Sequence, residues 1–338
     1  MGSLPLSVSV VIPAYNAAAT IQQAVRAARD QKGLPQPPEV IVVDDGSSDA
    51  TAELAAAAGA DPVIRQPNAG PAAARNKGFR AARAPYVLFT DSDCIPAPNW
   101  AVQLVEALQQ PGVGAAGGSY TMANDGWIAA GIHWEIVARH RRFGQFVRAA
   151  GSYNLAIRRE VMEAVGGFDE SYPTASGEDN DLSYRIGAAG YKLAWVRGAT
   201  VAHHHTNHLW KYLREQTRHG YYRVKLWRRH SRIARDDDYT RLKDAIEPVL
   251  VVLLLLTLAV SWLPWGWLAP LAVLVTLLGI QLPTAWRMLR ASGRPVVLLH
   301  IPVMFLRAFA RTFGFLSGLG GVAVRSGPSV GVRSAANR

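Results

Sequence analysis

The chain has 338 residues, of which 49% are apolar and 18% charged. This length suits one large domain with additional elements or two domains, and the apolar content excludes a disordered or collagen-like chain. The formal net charge of +11 is unevenly distributed. Residues 1–200 carry 17 Lys and Arg against 19 Asp and Glu, whereas residues 201–338 carry 19 against 6. Because the positive excess flanks long apolar runs, it favours anionic membrane lipids as partners, and we expect no binding to nucleic acid.

Short β-rich runs alternate with helical patterns from residue 8 to about residue 205. The runs that predict strands are 7–13, 39–45 and 86–91, and the segments that predict helices are 20–31, 49–60, 71–83 and 99–110. This alternation predicts an α/β domain over 1–205 with a doubly wound, mostly parallel sheet whose strands are buried on both faces. In such sheets ligands bind beyond the carboxyl ends of the strands.

The amino-acid composition of the chain changes after residue 205. Residues 206–245 mix Trp, Tyr and Leu with many Lys and Arg, a pattern typical of amphipathic basic helices lying at a membrane interface. A solvated helical linker is the alternative interpretation.

Residues 246–338 form the predicted membrane region. The apolar runs at about 246–263 and 265–282 are each long enough to span a bilayer, and together they predict a transmembrane hairpin. A buried core hairpin is the alternative. Basic residues flank the pair on both sides, so we expect both flanks and the α/β domain on the cytoplasmic side of the cytoplasmic membrane.

The last apolar segment, about 296–318, carries Arg307 and Arg311 on one helical stripe. We expect an interfacial or re-entrant helix here. The alternative is a third span, which would place the arginines of the C-terminal tail on the outer side.

Four polar clusters follow predicted strands. VVIPAYN (10–16) and VVDDGSSD (42–49) end strands in turn residues, and each alone could be an ordinary strand-to-helix turn.

The third cluster, PNAGPAAARNKG (67–78), opens a helix beside cations. A helix N-terminus with cations nearby suits binding of an anionic phosphate, although an ordinary surface helix would explain the same pattern. TDSDC (90–94) places two carboxylates at the end of a buried strand, where they repel each other unless a cation or hydrogen-bond donors compensate them. Short acidic motifs completed by substrate phosphates commonly hold Mg²⁺ or Mn²⁺, although helix capping would also explain Asp93.

Together the four clusters resemble, in their order and approximate spacing, the nucleotide-sugar-binding half of inverting family-2 glycosyltransferases, which have the GT-A fold. The resemblance covers residues 8 to about 205 and implies a nucleoside-diphosphate sugar donor, UDP- or GDP-linked, with Mg²⁺ or Mn²⁺ as cofactor. It also implies roles for individual residues: Pro13, Ala14 and Tyr15 would surround the nucleobase, Asp45 would accept a hydrogen bond from it, Arg75 would face the base or the diphosphate, Asp91 would contact the ribose, and Asp93 would ligate the metal.

The segment GGFDESYPTASGEDNDLSYRIGAAG (166–190) is similar to the acceptor-side segment of the same family. Glu178 and Asp179 match its ED motif, and Asp179 would be the catalytic base. A phosphate acceptor is already ionised, and Asp179 would then only position it. The alternative is that these acids cap a helix beginning near Leu182.

Three histidines, 203 to 205, follow a predicted strand in YKLAWVRGATVAHHHTNH. Alternation along a strand puts His203 and His205 on one face. In related enzymes a histidine here completes the metal site, which makes His203 the first choice and His205 the second. An interface role for all three is the alternative.

Processive members of the family carry a QxxRW motif, whereas Gln216 in QTRHG has no tryptophan after it. This departure favours transfer of one sugar per encounter. The resemblance and the membrane region together predict a multi-pass, membrane-bound enzyme that glycosylates a lipid-borne acceptor, a polyprenyl phosphate or a polyprenyl-linked glycan, in cell-envelope glycan synthesis. The residues expected to bind the acceptor phosphate are Lys211, Arg214, Arg218 and Arg223. The alternatives are a synthase acting on a diacylglycerol-type lipid and a catalytically silent membrane scaffold.

Overall fold

The structure is a computed structural model and describes residues 7–231, 238 and 242–321. The strands within these residues are β1 (Val8–Ala14), β2 (Glu39–Asp44), β3 (Val63–Arg65), β4 (Tyr86–Thr90), β5 (Cys94–Pro96), β6 (Val113–Met122), β7 (Phe146–Val147), β8 (Asn154–Arg158) and β9 (Lys192–His203). The helices are α1 (Ile21–Arg29), α2 (Thr51–Ala57), α3 (Pro71–Ala81), α4 (Trp100–Leu108), α5 (Trp127–His140), α6 (Arg159–Val165), α7 (Glu178–Ala188), α8 (Leu209–Arg229), α9 (Leu242–Leu258), α10 (Leu268–Gly279), α11 (Leu282–Ser292) and α12 (His300–Gly321), and a 3-10 helix covers Pro295–Leu299.

The described residues divide into two compact units. The first contains residues 7–123 and 143–204, and the second contains 124–142 and the described residues from 205 onward. All strands lie in the first unit. Helix α5 belongs to the second unit, although its sequence lies between two strands of the first.

One sheet organises the first unit, with strand order β3-β2-β1-β4-β8-β6-β9-β5 and with β7 paired to β9. Strands β1 to β4 are parallel, and β8 runs antiparallel between β4 and β6. Every residue of β1 and β4 is buried, which explains their continuous apolar sequences, since helices cover both faces of such a sheet. The predicted doubly wound, mostly parallel sheet is confirmed.

In the second unit, helix α8 packs closely against α12. A Cβ atom added at Gly314 would overlap the carbonyl oxygen of Thr217, and one at Gly220 would overlap that of Arg311. Glycine at both positions therefore lets the two backbones come together. The rest of the predicted interfacial segment is only partly described, because residues 232–237 and 239–241 lie outside the described residues.

Among the described residues, two helical segments are long and apolar enough to cross a membrane: Leu268–Ser292 and Pro295–Gly321. The helix within the first predicted span, α9, ends at Leu258 and has 17 residues, so it stops five residues before the predicted end of that span. The backbone amides of residues 259–261 bond three residues back, in turns. The segment at the second predicted span consists of α10 and α11 and continues to Ser292, ten residues beyond the predicted end.

The arginine stripe of α12 faces the interior of the second unit. Arg307 is 1% exposed and its Nη1 donates to the Glu135 carboxylate at 2.5 Å. Arg311 Nη1 lies 3.3 Å from Asp244 Oδ1. Charges inside a protein are tolerated when they are paired, so the apolar segment from residue 295 to 321 accommodates both arginines, Arg307 buried and Arg311 27% exposed.

Candidate active site

The two acids of TDSDC stand in a tight turn after β4. The amide of Cys94 donates to the Asp91 carbonyl at 3.0 Å, and Cys94 then begins β5. Antiparallel pairing of β5 with β9 places Cys94 opposite His203. His203 Nε2 therefore lies 3.6 Å from Asp93 Oδ1, although 110 residues separate them in the sequence.

Asp93, Cys94 and His203 form a cluster whose possible ligand atoms all lie within 4.8 Å of one another. Cys94 is fully buried, and burial raises the pKa of its thiol well above the ordinary value. Mg²⁺ and Mn²⁺ prefer carboxylate oxygen to soft thiolate ligands, so Asp93 is the better ligand of the two. Partial burial also raises the pKa of Asp93, whose side chain is 43% exposed; the nearby Asp91 carboxylate adds to this rise and His203 opposes it. A cation would relieve this unfavourable environment. One carboxylate and one imidazole, with phosphate oxygens still to be supplied, are a donor set that fits Mn²⁺ or Mg²⁺.

The strand pairing also separates the histidines. Because β9 ends at His203, the alternation expected from the sequence does not extend to His205. The His205 ring lies in the second unit, 5.7 Å from the ring of His133 between centroids.

Arg75 connects the two acidic motifs. This side chain is 3% exposed; its Nη2 donates to Asp91 Oδ1 at 2.7 Å and its Nη1 to Glu178 Oε1 at 2.9 Å. Burial disfavours the charged guanidinium, yet Asp91 and Glu178 raise the pKa of Arg75 above its ordinary value. The guanidinium also stands 5.5 Å from the centroid of the Phe168 ring. Arg75 therefore fixes the end of β4 relative to the start of α7, a contact that the sequence did not predict.

Glu178 and Asp179 open helix α7, which begins at Glu178 and not near Leu182 as the capping interpretation expected. The second carboxylate oxygen of Glu178 accepts the Ser176 amide at 2.8 Å, so both its oxygens are occupied. Asp179 is half-buried, and burial together with the Glu178 charge raises its pKa to about 7. A carboxyl with that pKa can exchange a proton near neutral pH, as a general base requires.

The ends of β1 and β2 meet at the same edge of the sheet, where Ala14 pairs with Asp44. Pro13 and Ala14 are buried, and Tyr15 is 55% exposed. Asp45 is buried and accepts hydrogen bonds from Gln66 Nε2 at 2.7 Å and from the amides of Ala69 and Gly70 at 2.8 Å. Asp45 therefore holds the loop that leads into α3, which the sequence did not indicate.

The sequence also gave no signal for Tyr120 and Tyr153, beyond their aromatic character. Their rings stack with centroids 3.9 Å apart, and both lie against the ring of His203.

The four cations expected at the acceptor phosphate lie on α8, in the second unit. Lys211 and Arg214 are exposed, and Arg218 and Arg223 are half-buried. At 100° per residue, the first three share one face of the helix, whereas Arg223 lies about 120° from Lys211 around the axis.

Residues 9–165 match the family model described as Glycosyl transferase family 2. The chain is 30% identical over 227 residues to Glycosyltransferase AglE of Haloferax volcanii, with 65% of this chain and 74% of that protein covered. It is 32% identical over 225 residues to the Pre-mycofactocin glycosyltransferase of Mycobacterium tuberculosis, with 63% of this chain covered, and it spans 46% of that relative's length.

Among solved structures, the mannosyltransferase PcManGT from Pyrobaculum calidifontis, determined in complex with GDP-Man and Mn²⁺, aligns with 91% of this chain and 86% of its own. The TM-score is 0.58 and the sequence identity 21%. At that identity the likeness concerns the fold alone, and it agrees with the predicted fold class.

Proposed function

Since the chain belongs to glycosyl transferase family 2 and is a glycosyltransferase, we propose that it transfers one sugar from a nucleoside-diphosphate sugar to a lipid-borne acceptor at a membrane. The acceptor oxygen attacks the anomeric carbon, the bond from that carbon to the diphosphate breaks, and the configuration inverts. The observation that carries this proposal is the meeting of the two acidic motifs: Arg75 bonds to both Asp91 and Glu178.

On the donor side, Asp93 and His203 would hold Mg²⁺ or Mn²⁺, which supplies charge neutralisation to the departing diphosphate when bound. The 3.6 Å separation of their ligand atoms and the raised pKa of Asp93 support this assignment. Asp91 would contact the ribose, and exposed Tyr15 would stack on a UDP or GDP base.

On the acceptor side, Asp179 would be the base when the acceptor is a hydroxyl of a polyprenyl-linked glycan, and it would position the acceptor when that is an ionised polyprenyl phosphate. Its pKa of about 7 lets it take a proton from an acceptor hydroxyl. Glu178 is bonded to Arg75 and to the Ser176 amide, so it would orient the start of α7 and leave proton transfer to Asp179.

The lipid nature of the acceptor is supported by the second unit. It contains two helical segments apolar and long enough to cross a membrane, and α8 exposes Lys211 and Arg214. Cations beside apolar helices suit a phosphate on a long apolar chain, so a polyprenyl phosphate or a polyprenyl-linked glycan is the proposed acceptor. The proposed location is the cytoplasmic membrane, with the catalytic unit facing the cytoplasm.

The test is mass spectrometry of lipid extracts incubated with the full-length protein, labelled UDP- and GDP-sugars and Mn²⁺. We expect the label on a polyprenyl-linked product. The Asp93→Ala protein is the control and should form no labelled product. Label on a diacylglycerol lipid would show that the acceptor is a diacylglycerol lipid and not the proposed polyprenyl compound. Free sugar and free nucleotide as the only products would contradict lipid glycosylation altogether.

A further inference from the structure

We propose that the stacked rings of Tyr120 and Tyr153 position the His203 imidazole for metal binding, an inference that rests on the proposed function of Asp93 and His203. The two tyrosine rings are nearly parallel, at 11°. His203 presents its edge to both: its ring centroid lies 5.2 Å from that of Tyr120, at 75°, and 6.4 Å from that of Tyr153, at 76°. Edge-to-face contact is a favoured geometry for aromatic rings and constrains the plane of the imidazole.

The backbone that carries the tyrosines is held by a buried amide, Asn154. Its Nδ2 donates to the carbonyl oxygens of Ser119 and Ala199, each at 3.0 Å, and its Oδ1 accepts from Trp100 Nε1 at 2.7 Å. Asn154 follows Tyr153 directly, and Ser119 precedes Tyr120. One side chain therefore fixes the strand positions next to both rings.

The position of the pair follows from the sheet. Strand β6 is parallel to β9 and pairs Met122 with His203, while β8 is antiparallel to β6. Tyr120 near the end of β6 and Tyr153, which directly precedes β8, thus meet at the place where β9 ends. No local sequence pattern unites them.

This arrangement matters because His203 is the last residue of its strand and its side chain is 19% exposed. An imidazole at a strand end can rotate, and only one orientation directs Nε2 toward the Asp93 carboxylate. Hydrogen-bonding partners that fix the ring of a ligating histidine typically contribute 10–100-fold to metal affinity, and we expect ring packing to reach the lower end of that range. Ring packing by two tyrosines provides this restraint before the metal arrives.

The test measures Mn²⁺ binding to the full-length protein in detergent, by electron paramagnetic resonance, with UDP and then GDP present. We expect Tyr120→Ala and Tyr153→Ala each to weaken Mn²⁺ affinity about tenfold. Tyr120→Phe should stay close to wild type, since the proposal concerns the ring. Tyr191→Ala, at the opposite end of β9 from His203, is the matched control and should bind Mn²⁺ as the wild type does.

A second readout is the spin-echo modulation that a ligating imidazole nitrogen gives to bound Mn²⁺. We expect the wild type to show it, His203→Ala to lose it and Tyr120→Ala to show less of it. Alanine variants with unchanged affinity and unchanged nitrogen signal would overturn the proposal, as would a Tyr120→Phe protein as weak as Tyr120→Ala. A wild type that binds Mn²⁺ without nitrogen modulation would instead contradict the metal role of His203, and the positioning role with it.

Discussion

Replacing Arg75 by methionine should destabilise the first unit strongly. The substitution keeps much of the side-chain volume but leaves the Glu178 carboxylate, itself 3% exposed, without its cation. Breaking one side of a buried ion pair costs about 3–5 kcal/mol. Loss of the ion pair with Asp91 adds little to this cost, about 1 kcal/mol or less, because the Asp91 side chain is 30% exposed. The stability of the Arg75→Lys protein should fall between those of the wild type and Arg75→Met, since one ammonium cannot reproduce the forked contact of the guanidinium with two carboxylates.

The assay is hydrogen exchange of peptides from α3 and α7 in the full-length protein, which reports the opening free energy of this unit alone. Arg80→Met is the matched control. Arg80 lies on the same helix, is 64% exposed and stands 3.9 Å from Glu170, so its loss should cost less than about 1 kcal/mol. Combining Arg75→Met with Glu178→Gln should cost at least about 2 kcal/mol less than the sum of the two single variants. Additive effects would refute the idea that this pair holds α7 to α3.

Three further outcomes are expected. Asp93→Ala should lower nucleotide-sugar affinity and remove its dependence on Mn²⁺ in calorimetric titrations; affinity that stays metal-dependent and unweakened would contradict the metal assignment. Asp179→Asn should keep donor binding and lose transfer. For a hydroxyl acceptor, the wild-type kcat/KM should rise with pH through about 7, as the carboxyl with its raised pKa loses its proton; an unchanged profile in the variant would exclude Asp179 as the base. Glu135→Gln should lower the melting temperature, because it leaves Arg307 buried without its carboxylate, whereas Glu160→Gln, at a 63% exposed side chain, should not.

Much of the sheet was predictable because burial of a strand on both faces requires a continuous run of apolar residues, which is visible in the local sequence. A strand covered by helices must be apolar at nearly every position, and the run at 7–13 predicted β1 to within one residue at each end. The order of the strands in the sheet is not visible in any local sequence pattern. Strand β8 runs antiparallel between β4 and β6, and its place depends on pairings between residues far apart in the sequence.

The residues of the candidate site were proposed from two sources. Asp91 and Asp93 stand at the end of a predicted strand, whereas Asp179 was proposed from the resemblance to the family's ED motif. The contact between Asp93 and His203 required β5, a strand of three residues ending in proline that no periodicity reveals. The resemblance implied that Arg75 faces the base or the diphosphate, and that role stays a prediction. The contact of its guanidinium with both Asp91 and Glu178 could not be predicted, because a motif specifies residue types and not which residues distant in sequence meet in the fold.

The arginines of α12 show where counting charges along a sequence fails. Arg307 and Arg311 on an apolar helix predict an interfacial position, since an unpaired charge in hydrocarbon is costly. The cost depends on the partner, and the carboxylate bonded to Arg307 belongs to Glu135, 172 residues away. Because α5 supplies this carboxylate, the segment from 295 to 321 can direct Arg307 to the interior of the second unit and keep its outer face apolar. Of the four cations proposed at the acceptor phosphate, Lys211 and Arg214 on α8 are the exposed ones, and charge reversal at these two positions should weaken binding of the proposed anionic acceptor without loosening the fold.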